Sequence, residues 1–220
     1  MSSTEHPSTG PLAFFGGTFD PVHYGHLRCA EQARRILNLE TLYLLPAGNP
    51  PHRTTPFTTA TQRLAMLRLA QAEFPSLGID EREIQRDGPS YMVDTLKELR
   101  AEFPHRPLLL LVGQDAANYL HTWHEWEQLF VLTHLVTFPR PGAKPEYRQD
   151  LARQIKRRTC PDLQSLLSSV AGGVLHLELE LIDISATAIQ SIIRLGRSPA
   201  SMSPGSVLNY IDENQLYLPA

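Results

Sequence analysis

The sequence predicts an α/β fold, with a doubly wound, mostly parallel β-sheet covered by helices on both faces. Short apolar runs alternate with segments of helical periodicity through most of the 220 residues, which is typical of repeated β–α–β units. Two of the runs, Leu42–Leu45 and Leu108–Val112, are continuously apolar, as expected of strands buried on both faces. A Gly16-Gly17 turn separates the first apolar run from the first helical segment, as a β–α unit with a phosphate site requires.

Six strands and five main helices follow from this pattern. The predicted strands are Leu12–Phe15, Thr41–Leu45, Leu77–Asp80, Leu108–Val112, His134–Phe138 and Val174–Ile182. The predicted helices are Leu27–Leu37, Ala60–Glu73, Met92–Ala101, Trp123–Leu129 and Ala188–Leu195. The segment Pro141–Pro145 is predicted to be a surface loop that leads to a basic helix.

Length and composition indicate one domain. Residues 1–11 are polar, rich in Ser, Thr and Pro, and are predicted to be a disordered lead-in. Residues 12–220 are predicted to form a single domain, because this length suffices for one well-buried core.

Charge and cysteine content exclude several classes of protein. A formal net charge of -3 argues against an extended nucleic-acid surface, and the basic run Arg148–Arg158 is interpreted as a solvated helix face. Cys29 and Cys160 are too few for a disulfide framework, so we expect reduced thiols in a cytoplasmic protein. No Cys-x-x-Cys pattern suggests a structural zinc, and no apolar run is long enough to cross a membrane.

The segment Phe15–His26 is the most informative part of the chain. A strand, a glycine-rich turn and a helix N-terminus follow one another there, and together they form a ready-made phosphate site. His23 and His26 stand three residues apart, so they face the same way if the first turn is helical. Imidazoles in that position can donate hydrogen bonds to a phosphate whose charge changes during a reaction.

Polar residues also follow the other predicted strands, and ligands bind at the carboxyl ends of strands in such sheets. Each cluster has a structural alternative: Ser90 and Asp115 could be helix caps, Ser185 or Thr187 could cap the last helix, and Trp123 could be core. An exposed Trp123 would instead offer a stacking platform for a flat heterocycle. The clusters are Asn49-Pro50-Pro51-His52-Arg53, Ser90-Tyr91-Met92, Gly113-Gln114-Asp115, Thr122–Trp126, Arg140-Pro141 and Ser185–Gln190.

From Leu12 to Tyr217 these segments resemble the bacterial nicotinate-nucleotide adenylyltransferases of the HxGH nucleotidyltransferase superfamily. The resemblance implies a Rossmann-like nucleotidyltransferase fold. It also implies transfer of AMP from ATP to the 5′-phosphate of nicotinate mononucleotide, which yields deamido-NAD and pyrophosphate by direct in-line attack. Mg²⁺ is the expected companion of ATP, and no residue of the chain is assigned as a metal ligand. A monomer and a homodimer both remain open.

The resemblance also implies roles for individual residues. His23 and His26 are the expected catalytic pair. The expected ATP-binding residues are Gly16, Gly17, Thr18, Phe19, Gly113, Asp115, Ser185 and Thr187. The expected nicotinate mononucleotide-binding residues are Asn49, His52, Arg53, Tyr91, Met92, Trp123 and Arg140.

The chain departs from the family pattern at two positions. Gln190 stands where the family commonly has Arg, which removes a charged phosphate ligand. Arg194 lies one helical turn further on the same face, and we hypothesise that it binds ATP instead. Met92 stands where Thr is frequent, so any hydroxyl contact to the acceptor is lost while backbone contacts survive.

Three other functions deserve comparison. An adenylyltransferase for another acceptor, such as pantetheine phosphate or FMN, shares the first motif but is less compatible with the Trp123 cluster and the Pro-Pro-His-Arg loop. A non-catalytic nucleotide sensor is favoured only by the loss of arginine at Gln190. A fragment of a class I tRNA synthetase is disfavoured because Ser201–Pro204 carries no lysine and no tRNA-binding extension is present.

Overall fold

A computed structural model describes residues 10–50, 56–180 and 182–219. The strands form one sheet in the order β3-β2-β1-β4-β5-β6, and each of the five pairings within it is parallel. This order confirms the prediction of a doubly wound α/β sheet. The strands are β1 (Leu12–Gly17), β2 (Leu42–Pro46), β3 (Leu77–Ile79), β4 (Leu108–Gly113), β5 (His134–Phe138) and β6 (Val174–His176).

Helices connect the strands. A short 3₁₀ turn, Leu120–Thr122, follows the fifth helix. The α-helices are α1 (Tyr24–Ile36), α2 (Ala60–Gln71), α3 (Arg82–Gln85), α4 (Met92–Glu102), α5 (Gln114–Asn118), α6 (Trp126–Leu132), α7 (Gln149–Arg158), α8 (Leu163–Leu166), α9 (Ala186–Arg194) and α10 (Gly205–Glu213).

The sheet separates two hydrophobic cores, because successive side chains of a strand point to opposite faces. In β4, Leu109 and Leu111 belong to the core that contains α1, α2 and α10. Leu108 and Leu110 belong to the other core, with α4, α6 and α7. This arrangement explains why the sequence of β4 is continuously apolar: neither face of the strand meets water.

The strand order reverses between β1 and β4: β1 begins the half of the sheet that continues to β2 and β3, and β4 begins the half that continues to β5 and β6. Residues Leu12–Phe15 of β1 pair with Leu108–Leu111 of β4 on one side, and β1 pairs with β2 on the other. In open sheets of this kind, ligands bind in the crevice at the carboxyl ends of the strands beside such a reversal. Gly16 and Gly17, which are predicted to form a turn after the first strand, are instead the last two residues of β1, because they still pair with β2. This glycine-rich end of β1 lies where a ligand is expected.

The structure corrects some predicted boundaries. The last strand ends at His176 rather than at Ile182, because its partner β5 ends at Phe138 and leaves no strand to pair with. The chain beyond it turns toward α1, where the Glu180 backbone N–H donates to the Gln32 side chain at 2.9 Å. The helix predicted from Trp123 begins at Trp126, after Glu125 in a left-handed conformation with φ of 48°.

Of the predicted lead-in, residues 1–9 lie outside the described residues, and Gly10 accepts hydrogen bonds from the Arg106 side chain. Within the described ranges, no helix combines the length and apolar character that a membrane span requires.

Truncating a side chain in the centre of the sheet should destabilise the fold strongly. Leu109 is 0 % exposed in β4, so we expect Leu109→Ala to lower the free energy of unfolding by about 2–5 kcal/mol through lost burial and a residual cavity. Leu195→Ala is the control: Leu195 is 71 % exposed, and its truncation should change the free energy by less than about 0.5 kcal/mol. Urea unfolding followed by circular dichroism measures both, and equal effects would contradict the described core.

Candidate active site

A cleft of about 810 Å³ opens at the carboxyl ends of the strands. It is lined by the glycine-rich end of β1, by the ends of β2 and β4, and by the N-terminal turns of α4, α5 and α9. Segments that are far apart in the sequence therefore meet in one crevice. Pro51, His52 and Arg53 lie outside the described residues, so the predicted roles of His52 and Arg53 remain predictions.

The two histidines of the first motif stack on each other. Their ring centroids are 3.7 Å apart and the ring planes differ by 26°. His26 lines the cleft, whereas His23 lies behind it and is 0 % exposed. The prediction that both face the same way is confirmed, since His23 is the N-cap residue of α1 and His26 lies in its first turn.

Gly25 makes this stacking possible. A Cβ atom at position 25 would lie 2.9 Å from the His23 ring and 3.0 Å from the Ile184 carbonyl oxygen. Any side chain between the two histidines would push the His23 ring away from α1 or push α1 away from the segment before α9. The glycine of the His-x-Gly-His motif is therefore required by a close approach.

Burial keeps His23 neutral. Removal of the ring from water lowers the pKa of His23 to about 3, and the positive charge of Arg140 lowers it further in the same direction. Both ring nitrogens are buried without a hydrogen-bond partner among the described residues. An unsatisfied buried donor costs roughly 1–3 kcal/mol, which a ligand oxygen at that position would recover.

The glycine-rich turn is shaped by Phe19. Phe19 has a φ of 53°, which is rare for a residue with a side chain, and its buried ring packs edge-on against His26 at 5.0 Å. Gly16, Gly17 and Thr18 line the cleft in front of it. Four of the residues predicted to bind ATP therefore form a single wall of the cleft.

The structure corrects the predicted role of Ser90 as a helix cap. The helix α4 begins at Met92, and its N-cap residue is Tyr91, which makes no capping hydrogen bond through its side chain. The Ser90 hydroxyl oxygen instead accepts hydrogen bonds from the backbone N–H groups of Gly48 and Asn49, each at 3.0 Å. Ser90 therefore holds the turn after β2, which carries Asn49.

An aromatic group forms another wall of the cleft. Tyr91, Trp123 and His124 all line it, and the rings of Tyr91 and His124 lie 4.4 Å apart. The second tryptophan, Trp126, packs edge-on against Phe130 in the core. Both tryptophans are partly buried and pack against the second core, and of the two only Trp123 also lines the cleft.

Asp115 and Arg140 lie together beside the histidines. The Arg140 Nε atom is 3.7 Å from Asp115 Oδ1, and the Asp115 side chain is 56 % exposed in the cleft. The N-cap residue of α5 is Gly113, so Asp115 is not a cap. Burial raises the pKa of the Cys29 thiol, while the charge of Arg140 and its hydrogen bond to that thiol lower it. Arg140 therefore lies close to Asp115, His23 and Cys29.

The N-terminus of α9 contributes the last wall. Ser185 caps the helix by accepting a hydrogen bond from the Ala188 N–H at 3.2 Å, which confirms one of the two predicted caps, and Thr187 lines the cleft. Gln190 is buried, and its side-chain amide donates to the Asp20 carbonyl oxygen at 2.6 Å. Arg194 is exposed, with its guanidinium 4.4 Å from the centroid of the Phe57 ring.

Two residues that sequence reasoning left without a role, Arg63 and Asp20, hold the segments around the cleft together. Arg63 is 1 % exposed and donates to carbonyl oxygens of both neighbouring turns. The Asp20 carboxylate accepts from Thr58 and from Tyr217, each at 2.6 Å. A charged residue on the apolar face of a helix, as Arg63 is beside Met66 and Leu67, is the sequence signal that could have found one of them.

A metal would depend mainly on its substrate for ligands. Within the described part of the chain, no three His, Cys, Asp or Glu residues gather as a metal cage. Of the three carboxylates lining the cleft, Asp20 accepts from Thr58 and Tyr217, Glu83 accepts from Thr95 Oγ1 at 2.7 Å, and Asp115 lies 3.7 Å from Arg140 Nε. This environment fits a cation such as Mg²⁺, which keeps waters and is bound largely through phosphate oxygens.

Known proteins resemble this chain over nearly its whole length. A family model described as Cytidylyltransferase-like matches residues 14–192. A protein of Acidithiobacillus ferrooxidans named "Probable nicotinate-nucleotide adenylyltransferase" is 42 % identical over 99 % of this chain and 99 % of its own length. A protein of the same name from Aeromonas salmonicida is 42 % identical over 94 % of this chain and 97 % of its own length.

This chain belongs to the nicotinate-nucleotide adenylyltransferase family. A solved structure of the Plasmodium falciparum nicotinic acid mononucleotide adenylyltransferase, complexed with NaAD, shares the fold with a TM-score of 0.74 at 13 % identity. The match covers 95 % of this chain and 98 % of that one. Membership of this family confirms the resemblance that the sequence motifs indicate.

The stability of this family member should depend on pH through His23. Its folded pKa, about 3, lies below the unfolded value of 6.5, so between these values the unfolded state binds more protons. The contribution of His23 is present above pH 6.5 and is lost as the pH falls toward 3. The side chain of His23→Asn cannot titrate. We therefore expect the melting temperature of this variant to fall less than that of the wild type when the pH is lowered from about 7.5 to about 5.

Thermal unfolding at the two pH values measures this difference. Burial also lowers the pKa values of His134 and His176, so part of the wild-type loss will remain in the variant. An equal loss in the two proteins would show that His23 is not buried in its neutral form.

Proposed function

We propose that this protein transfers AMP from ATP to the 5′-phosphate of nicotinate mononucleotide, giving deamido-NAD and pyrophosphate. The observation that carries the proposal is the stacked His23–His26 pair at the N-terminus of α1, beside the glycine-rich turn and in the same cleft as the N-terminus of α9. Two helix N-termini that open into one cleft suit a ligand with several phosphates. The names of the relatives support the nicotinate acceptor.

The chemistry needs no nucleophile from the protein. The acceptor phosphate oxygen attacks the α-phosphorus of ATP in line with the departing pyrophosphate, and the enzyme positions the two substrates and stabilises charge. His26, at the surface of the cleft, and the neutral His23, behind it, can donate hydrogen bonds to phosphate oxygens as negative charge develops on them. Gly16, Gly17, Thr18 and Phe19 would hold the triphosphate by close backbone approach.

The remaining ATP contacts come from the other half of the sheet. Asp115, with Gly113, would accept hydrogen bonds from the ribose hydroxyls, and its exposed carboxylate suits that role. Thr187 and the N–H groups at the start of α9 would bind the β- and γ-phosphates, with the Ser185 hydroxyl capping the helix. Mg²⁺ would travel with the triphosphate and offset its charge.

The acceptor would occupy the aromatic side of the cleft. Trp123 offers a ring face to the pyridinium, an arrangement that gains from cation–π attraction. The N-terminus of α4 at Tyr91 and Met92 presents backbone N–H groups that favour an anion, so a carboxylate on the ring suits this wall. Asn49, His52, Arg53 and Arg140 would serve the acceptor phosphate and ribose. Arg140 also stands at the junction with the ATP side.

Cellular location and assembly are further parts of the proposal. The two cysteines of the chain are both free thiols, which supports a cytoplasmic enzyme. We propose a single domain over residues 12–220 that works as a monomer or homodimer on small-molecule substrates.

The choice of acceptor is the direct test of this proposal. We expect the kcat/KM for nicotinate mononucleotide to exceed that for nicotinamide mononucleotide about 10- to 100-fold, because only the acid gives the α4 N-terminus a charged acceptor. Mass spectrometry of the dinucleotide product and a coupled pyrophosphate assay measure both rates. Pantetheine phosphate and FMN are the control acceptors. A ratio near one would refute acid specificity, and ATP binding without pyrophosphate release on any acceptor would favour a nucleotide sensor.

Arg194 should contribute to ATP binding in place of the arginine that Gln190 replaces. Its guanidinium would have to leave the Phe57 ring to reach a phosphate. We expect Arg194→Ala to raise the KM for ATP about fivefold to tenfold, the range of one screened charge-assisted contact. Arg197→Ala, on the exposed segment just beyond α9, is the matched control and should leave the KM unchanged. If Arg194→Ala leaves both KM and kcat unchanged, the assignment is wrong.

A further inference from the structure

Two turns carry the two substrates in the proposed reaction, and they follow neighbouring strands. The donor turn, residues 16–19, begins with the last two residues of β1, and the acceptor turn, residues 47–49, follows β2. The strands pair in parallel up to Gly17 and Pro46, and the Ala47 N–H donates to the Gly17 carbonyl oxygen at 2.9 Å. Beyond that point no further strand pairing sets the distance between the turns.

A buried guanidinium bridges this gap. Arg63, from the first half of α2, is 1 % exposed. One of its terminal nitrogens donates to the Thr18 carbonyl oxygen at 2.9 Å and to the Ala47 carbonyl oxygen, and the other donates to the Gly48 carbonyl oxygen at 2.8 Å. A single side chain thus ties the donor turn to the acceptor turn.

Ser90 holds the acceptor turn through backbone groups of the turn that Arg63 does not contact. Its hydroxyl accepts from the N–H groups of Gly48 and Asn49, and its own N–H donates to the Asn49 carbonyl oxygen at 2.8 Å. A Cβ atom at Gly48 would lie 2.1 Å from the Glu83 carbonyl oxygen, so the turn already touches the segment before α4. The acceptor turn is therefore held between Arg63 and Ser90.

We propose that Arg63, assisted by Ser90, is a positioning residue that sets the separation of the donor and acceptor turns and thereby the alignment of the two substrates for in-line transfer. The inference rests on the proposed function, since it needs a bound donor and a bound acceptor. Arg63 is not among the residues lining the cleft. Its contribution is therefore to the geometry of transfer rather than to the binding of either substrate alone.

The shape of the side chain is the reason for an arginine at this position. The planar guanidinium presents its donors as a fork that reaches three carbonyl oxygens in different directions, whereas a lysine ammonium concentrates its donors at one point. Arg63→Lys keeps the charge and most of the volume, but its single nitrogen cannot replace both terminal nitrogens, one of which donates to Thr18 and Ala47 while the other donates to Gly48. A misplacement of about 1 Å between reacting groups can cost about 100-fold in rate.

The test compares Arg63→Lys with Arg100→Lys in the full chain. Arg100 is a matched control, because it also donates to backbone carbonyl oxygens, those of Leu132, Arg106 and Val170, at the opposite end of the sheet. For each protein we would measure kcat, the KM values, the melting temperature, and the Kd values of ATP and nicotinate mononucleotide by calorimetry, each substrate alone.

We expect Arg63→Lys to lower kcat about 10- to 100-fold while each Kd stays within about threefold of wild type, because binding and alignment are separate contributions. Arg100→Lys should lose melting temperature with an unchanged kcat. The proposal is overturned if Arg63→Lys keeps its kcat within about threefold, if its rate loss is matched by an equal loss of substrate affinity, or if Arg100→Lys loses as much kcat.

A second variant decides the matter if Arg63→Lys does not fold. Ser90→Ala removes the acceptor of two N–H groups of the acceptor turn at a partly exposed position, and the same criteria apply to it. The wild-type assay separates the two proposals. A wild type inactive on every acceptor refutes the proposed function, whereas an active wild type with active Arg63→Lys refutes only the positioning role.

Discussion

The buried charge of Arg63 is the interaction on which the site depends. Desolvation lowers the pKa of this guanidinium, and the negative charge of Asp20 opposes that shift. Its hydrogen bonds to Thr18, Ala47 and Gly48 offset the cost of burial, since a hydrogen bond to a charged group contributes about 1.5–3 kcal/mol. The same bonds satisfy carbonyl oxygens that the sheet leaves unpaired where β1 and β2 end. One residue thus satisfies these carbonyl oxygens and ties together the segments at the ends of β1 and β2.

Asp20 extends this support to the rest of the chain. Its carboxylate accepts from the Phe57 backbone N–H and from the hydroxyls of Thr58 and Tyr217, and its carbonyl oxygen accepts from Gln190. Residues from four distant segments therefore converge immediately behind the glycine-rich turn. Gln190 has a structural role in this network, which gives a physical reason why an uncharged residue is accommodated where the family commonly has arginine.

The histidine pair shows how burial shapes the chemistry. With a pKa lowered to about 3, His23 is a neutral hydrogen-bond donor in the free protein, and its stacking on His26 holds both rings at the N-terminus of α1. In a neutral imidazole one ring nitrogen is a donor and the other an acceptor, and neither has a partner among the described residues, so the N–H is left to donate to a ligand oxygen. The sequence treats the two histidines as equivalent, whereas the structure places His26 at the cleft and His23 behind it.

The sequence by itself determined the α/β class, five of the six strands to within about two residues, and the motif His23-x-Gly25-His26, because these are local patterns of periodicity and spacing. It could not determine how far β6 extends, which depends on where its partner β5 ends. The sequence also could not determine which of Trp123 and Trp126 lines the cleft. Nor could it distinguish a serine that caps a helix from one that holds a distant turn, as Ser90 does. Arg63 and Asp20 acquire their roles only in the tertiary structure, because their partners lie on other segments and buried polar groups must find partners wherever the fold brings them.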